Sequence, residues 1–120
     1  MKAVLFISHG SHSPKTLEEV KDTVEILRKG SGFPILEYAF LEIEQPSIPE
    51  GIDRCVHQGA SEIVVLLNFL NSGRHVDKDI PRLIKQSHRK HPHVIFSISQ
   101  PVGQHPHIIP LFLSMMTPQH

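Results

Sequence analysis

Four short apolar runs, separated by segments of helical spacing, constrain this chain more than any other feature. The runs cover residues 3–7, 35–41, 63–67 and 94–98, each bounded by turn residues. They are continuous rather than alternating, the pattern of strands covered on both faces. Between the first two, residues 15–29 place Leu17, Val20, Val24 and Leu27 at helical spacing, and Gly30-Ser31-Gly32 ends the segment. Residues 47–57 predict a second helix, entered at Pro46, carrying Cys55 and stopped by Gly59. Residues 79–91 predict a third, with Pro81 in its first turn, where a missing N–H costs nothing. Residues 107–116 predict a fourth. Strict alternation of strand and helix requires right-handed crossovers. The expectation is a three-layer α/β/α domain on a four-stranded parallel sheet, one domain spanning residues 1–120.

Composition narrows what such a domain does. Lys plus Arg number 12 and Asp plus Glu number 12, so no global field draws the chain to nucleic acid or an anionic membrane. Cys55 is the single cysteine, which excludes an internal disulfide, a thiolate zinc site and an iron–sulfur cluster held within this chain. It reads as a small apolar core residue, and a reducing cytoplasm fits it. The apolar amino-terminal run is too short for a signal peptide or a membrane span. At 120 residues the chain supports one core but is short for an enzyme with a closed pocket of its own, which predicts a partner copy or domain.

Ten histidines are the compositional anomaly, and two of them end strands. His9 lies in Ser8-His9-Gly10-Ser11-His12-Ser13-Pro14, directly after the first run, and His75 follows the third. In an open parallel sheet the carboxyl ends of the strands line one crevice, so His9 and His75 are expected to face each other across it. Imidazole is both a neutral metal ligand and a base near physiological pH, so the pair points to metal chemistry. Glu42 follows the second run and is placed to accept a proton or hold a metal from the oxygen side, with Glu44 as a competitor. Gly10 permits close backbone approach, Ser11 or Ser13 can cap the first helix, and that helix's free N–H groups attract anions. His12 reads as solvent-exposed. His105, after the fourth run, lies at the same edge. The cluster His88-Arg89-Lys90-His91-Pro92-His93 spans a helix end and a turn, where basic residues complement the helix dipole, and reads as solvated.

Several segments together carry a resemblance. They are His9-Gly10-Ser11, then Tyr38-Ala39-Phe40-Leu41-Glu42 with Gln45-Pro46-Ser47-Ile48, then residues 69–81, and finally Pro101-Val102-Gly103-Gln104-His105-Pro106. This set resembles the sirohydrochlorin chelatase family over nearly the whole chain, and its most specific element is Gly73-x-His75-x-x-x-Asp79-Ile80-Pro81. The resemblance implies insertion of cobalt, nickel or ferrous iron into sirohydrochlorin, a reduced, carboxylate-rich tetrapyrrole of cobalamin and siroheme biosynthesis. It implies no energy source and no cofactor beyond the substrate metal ion. His9 and His75 would handle the metal, with Glu42 beside them in catalysis. Gly10, Ser11, Ser72, Gly73, Arg74 and His105 would meet the substrate, whose carboxylates want N–H donors and cations. The sequence departs from the family at His12, where a basic residue is usual, and at Asn68 and Asn71, in a segment that is commonly apolar. Short members act as homodimers and long members fuse two such domains, so the chain resembles a short member or an amino-terminal half. Leu111, Phe112, Met115 and Met116 are then the candidate interface. Two rival readings are a non-catalytic histidine-rich metal-binding protein and a phosphatase with His9 as nucleophile. The second requires an arginine where Ser8 stands.

Overall fold

The computed structural model describes residues 1–117. Strand and helix alternate as β1 (Lys2–Ser8), α1 (Pro14–Ser31), β2 (Ile35–Phe40), α2 (Ile48–His57), β3 (Glu62–Leu67), α3 (Ile80–Lys90), β4 (Ile95–Pro101) and α4 (Ile108–Met116). A turn of π-helix, His75–Asp79, leads into α3, and a 3₁₀ turn, Val102–Gln104, links β4 to α4. The four strands form one parallel sheet in the order β2-β1-β3-β4. This is the expected α/β architecture.

The alternation of side chains along each strand divides the core in two. Ala3, Leu5 and Ile7 of β1 share a face with Ile63, Val65 and Leu67 of β3, and Ile48, Ile52, Cys55, Ile80 and Ile84 of α2 and α3 seal it. Val4, Leu36 and Phe40 point the other way, under Val20 and Val24 of α1. Burying a side chain such as Leu5 stabilises the fold by about 1.5–3 kcal/mol. Both edges of β1 are paired, Leu5 lying opposite Glu37 on one side and Val65 on the other, so the first strand is central.

Local chemistry sets the helix ends. α1 runs past Gly30 and stops at Gly32, whose φ of 74° is the left-handed cap conformation that glycine adopts without strain. Ser13 precedes Pro14 in extended conformation, and its side chain makes no capping bond. α2 opens with a capping box: Ser47 N–H donates to Glu50 Oε1 at 3.0 Å, and Glu50 N–H donates to Ser47 Oγ at 3.3 Å. The first of these bonds holds the Glu50 carboxyl below its usual range.

Two expectations are corrected at the far edge of the sheet. The fourth strand occupies 95–101 rather than 94–98, with a register shift opposite Val65 and Leu67. It is also not covered on both faces: Ile95 and Ser97 lie exposed on the side that α1 covers elsewhere, because the cluster under α1 takes in residues of β1, β2 and β3 but none of β4. α4 forms where its sequence predicts, yet buries no residue. The α/β/α sandwich is therefore complete on one face and half-built on the other. No helix among the described residues is long and apolar enough to cross a membrane.

Candidate metal centre

The loops after β1 and β2 are locked together, and this lock creates the site. Leu41 N–H donates to Ser8 O at 2.9 Å and Glu42 N–H to His9 O at 3.0 Å, carrying the ladder past the strand ends. His9 and Glu42 thus become neighbours. Gly10, at φ 105°, is in a conformation L side chains rarely adopt, and a Cβ there would lie 1.9 Å from Glu42 O. Only glycine fits. Ile43 has φ 73°, and Glu44 N–H donates to Glu42 O at 2.8 Å, closing a tight turn. A β-branched residue in that region costs on the order of 1–3 kcal/mol and persists only where its surroundings fix it. The fixing bond runs from Ser11 N–H to Glu44 Oε1, at 2.8 Å. Glu44 therefore holds the loop, and Glu42 faces His9.

The third loop delivers the second histidine on a helical turn rather than a free loop. The π turn bonds Ile80 N–H to His75 O, and Gly73 O accepts from Asp77 N–H at 2.7 Å. His75 and Asp79 fall on one face, with Nδ1 2.9 Å from Oδ2. Such π turns concentrate at functional sites. Asn68 ties the end of β3 to β1, through its N–H to Ile7 O at 2.8 Å and its Nδ2 to Ser8 Oγ at 3.0 Å.

His9 Nε2 lies 2.9 Å from Glu42 Oε1, and the His9 and His75 rings meet edge to face with centroids 5.3 Å apart. Each of His9, Glu42 and His75 offers one ligand atom within 4.8 Å of the others, and all three are exposed. Both His9 nitrogens face acceptors, since Nδ1 lies 3.2 Å from Gly10 O. A neutral imidazole carries a single N–H, so in that form it donates to one of these two oxygens and turns a lone pair toward the other. At His75, donation from Nδ1 to Asp79 leaves Nε2 with its lone pair free, the arrangement carboxylates impose on metal-ligating histidines. Two imidazoles and one carboxylate suit borderline divalent ions, and three protein ligands leave coordination positions open. Cys55 takes no part: it is fully buried, and burial, followed by the Glu37 charge, pushes its thiol up to about 12.

The remaining sequence-predicted residues fall around this centre. Ser72, Gly73 and Arg74 are exposed between β3 and the π turn, and His12 is exposed as expected. Ser11 Oγ accepts from Ser13 N–H at 3.0 Å, inside the loop. His105 sits beyond β4 but outside the ligand group; its ring packs on His107 at 4.7 Å, and its Nδ1 accepts from His107 N–H at 3.1 Å. The basic cluster is not uniformly solvated. His91 Nε2 and Lys90 Nζ each lie 2.9 Å from the Asp53 carboxylate, joining the end of α3 to α2. Burial alone raises the Asp53 pKa, but these bonds outweigh it and hold the carboxyl below its usual range. The sequence assigns no role to Asp79 and marks Glu44 only as a competitor of Glu42, without the anchoring role it has here. The four-residue spacing of His75 and Asp79 was the available signal.

The chain has relatives among known proteins. The CbiX family model matches residues 3–118. The chain is 37% identical over 106 residues to a sirohydrochlorin cobaltochelatase of Priestia megaterium, covering 88% of the chain and 34% of that protein. It is 34% identical over 103 residues to a sirohydrochlorin cobaltochelatase of Sulfolobus acidocaldarius, covering 86% of the chain and 80% of that protein. Its fold matches the Bacillus subtilis subspecies spizizenii sirohydrochlorin chelatase SirB, solved in complex with cobalt, at TM-score 0.88 and 30% identity, over 96% of the chain and 49% of SirB. The chain thus spans about a third of the Priestia relative and about half of SirB. A family match across nearly the whole sequence, on a shared parallel α/β fold, makes this chain a member of the CbiX family, alongside sirohydrochlorin chelatases.

Proposed function

We propose that this chain inserts a divalent metal ion (cobalt, ferrous iron or nickel) into sirohydrochlorin, with His9, Glu42 and His75 receiving the ion and handling the pyrrole protons. The observation that carries this reading is the convergence of the three side chains, within 4.8 Å, at an open strand edge. A hydrated ion exchanges water for His9 Nε2, His75 Nε2 and the Glu42 carboxylate. As ring nitrogens replace these ligands, two pyrrole protons leave, so one divalent charge enters and two single charges depart. Nothing is oxidised or reduced, and no cofactor beyond the substrate ion is required. Glu42 and a histidine released from the ion are the bases within reach. An exposed site admits a wide planar ring, and imidazole holds the ion less tightly than thiolate would, so the ion can be passed on.

Gly10, Ser11, Ser72, Gly73, Arg74 and His105 are the groups proposed to meet the substrate's carboxylates. The Ser11 N–H is already taken by Glu44, so its contribution comes from the hydroxyl. The reaction belongs to the cytoplasm on this reading, in keeping with a lone buried thiol. Residues 1–120 act as one domain whose open crevice takes its other wall from a second copy or from a further domain of a longer chain.

The test is an anaerobic absorbance assay of sirohydrochlorin with the protein and Co²⁺, Ni²⁺ or Fe²⁺ in turn. Catalytic turnover supports the reading and ranks the metals. Tight stoichiometric binding without turnover identifies a metal-binding protein instead, and hydrolysis of a generic phosphate ester identifies a phosphatase.

A further inference from the structure

The outer face of α3 carries only positive charge. Arg74, Lys78, Arg82, Lys85 and Arg89 recur at spacings of four, four, three and four residues along the π turn and α3. At helical periodicity they fall on one side, opposite the buried Val76, Ile80, Ile84 and Ser87. All five are exposed. The row is about 22 Å long at a rise of about 1.5 Å per residue, and it begins at the residue before His75.

Nothing in the stability of the helix calls for this row. Like charges at these spacings repel, and cations near the amino end of a helix oppose its dipole. Yet Arg74, Lys78 and Arg82 stand at that end, and the first turn of α3 holds no acidic residue. Among the described residues only Arg82 of the five has an ion pair, to Asp79 at 3.8 Å. α1 is built the other way, with Glu25 paired to both Arg28 and Lys29. The neutral total conceals a division of charge. Residues 63–120 hold six Lys and Arg against two Asp, whereas residues 1–62 hold six against ten acidic residues.

Beside the row a groove of about 410 Å³ opens between α3 and β4. Ile84, Pro92, Val94 and Phe96 make it apolar, and Lys85 of the row lines it together with His88. We propose that this face docks an acidic protein, whose carboxylates lie along Arg82, Lys85 and Arg89 while an apolar side chain enters the groove. Two features select a protein over other anionic partners. A nucleic acid offers no aliphatic side chain for the groove. An anionic membrane is held by apolar residues that enter it, and among the described residues no large hydrophobic side chain from 71 to 94 is exposed. Because the row starts at Arg74, a protein bound there stands beside the strand-end crevice, placed to hand over a ligand or take one away. Docking itself does not depend on the metal chemistry.

Fluorescence titration at about 0.15 M salt tests the surface, with a glutamate–leucine copolymer, poly-L-glutamate, a DNA duplex and phosphatidylglycerol vesicles as probes. The copolymer is expected to bind about tenfold more tightly than any of the others. Lys85→Glu with Arg89→Glu should lower its affinity by about tenfold or more while leaving the far-UV spectrum unchanged, since both side chains are exposed. Lys15→Glu with Lys21→Glu, on α1, should leave the affinity as it was. A copolymer held by the exposed apolar α4 instead would be insensitive to Lys85 and Arg89, and that result overturns the proposal. So does an equal loss in the α1 variant, or binding of poly-L-glutamate, DNA or vesicles as tight as that of the copolymer. No metal or tetrapyrrole is present in these titrations, so a chain that docks the copolymer and inserts no metal would lose the functional reading alone.

Discussion

Asp79 Oδ2 lies 2.9 Å from His75 Nδ1, one helical turn further along the chain, and leaves Nε2 as the His75 nitrogen free to take a metal ion. Removing an outer carboxylate of this kind costs about 10–100-fold in metal affinity in comparable sites. Asp79→Ala is therefore expected to weaken Co²⁺ binding by about that factor, measured by calorimetry, with Asp79→Asn retaining part of the affinity. An unchanged Co²⁺ affinity in Asp79→Ala would show that the contact does not orient the ligand.

His9→Ala, His75→Ala and Glu42→Gln should each remove most insertion activity while leaving far-UV circular dichroism unchanged, because all three side chains are exposed. Glu44→Gln separates the two glutamates. It weakens only the anchor to Ser11 N–H, so it should raise KM more than it lowers kcat. A Glu44→Gln enzyme as inactive as Glu42→Gln would mean that the structural division between them does not hold in catalysis.

Gly10→Ala meets both a positive φ and a carbonyl oxygen 1.9 Å from the new Cβ. The β1 and β2 loops must separate, which should lower stability by about 2 kcal/mol or more and abolish insertion. Denaturant unfolding and the absorbance assay together check this.

Asp53 supplies a pH dependence of stability. Its folded-state pKa is depressed by His91 and Lys90, so its contribution is fully present above the ordinary carboxyl value of 3.8 and is lost as pH falls through the lower folded value. The carboxylate is well exposed to solvent, which limits the effect to about 1 kcal/mol or less. Thermal melts of Asp53→Asn should be a few degrees lower than those of the unaltered protein at pH 7, with the gap closing below about pH 3. A gap that persists at acid pH would assign the loss to packing.

Cys55, buried with its thiol pushed up to about 12, should stay unmodified by thiol reagents until the protein unfolds. Rapid labelling of the native protein would contradict its place in the core.

The sequence by itself determined the order of the elements and the strand-end position of His9, Glu42 and His75. The reason is local. Continuous apolar runs, helical spacing and glycine stops depend on near neighbours, and a parallel sheet sends all its strand ends to one edge. Other features depended on contacts between residues distant in the chain. Glu42 rather than Glu44 faces His9 because Gly10 packs against the Glu42 carbonyl and Ser11 captures Glu44, contacts that span more than thirty residues. His91 reads as one more basic surface residue until α3 folds back and brings it to Asp53. The π turn replaces an expected loop because a bond from Ile80 to the His75 carbonyl adds one residue to the usual helical turn, a change no apolar pattern records. α4 is a helix by its spacing, but that it buries none of its residues is a fact of the folded chain, in which Gly103 N–H donates to Phe69 O and sets the turn after β4 against the loop after β3.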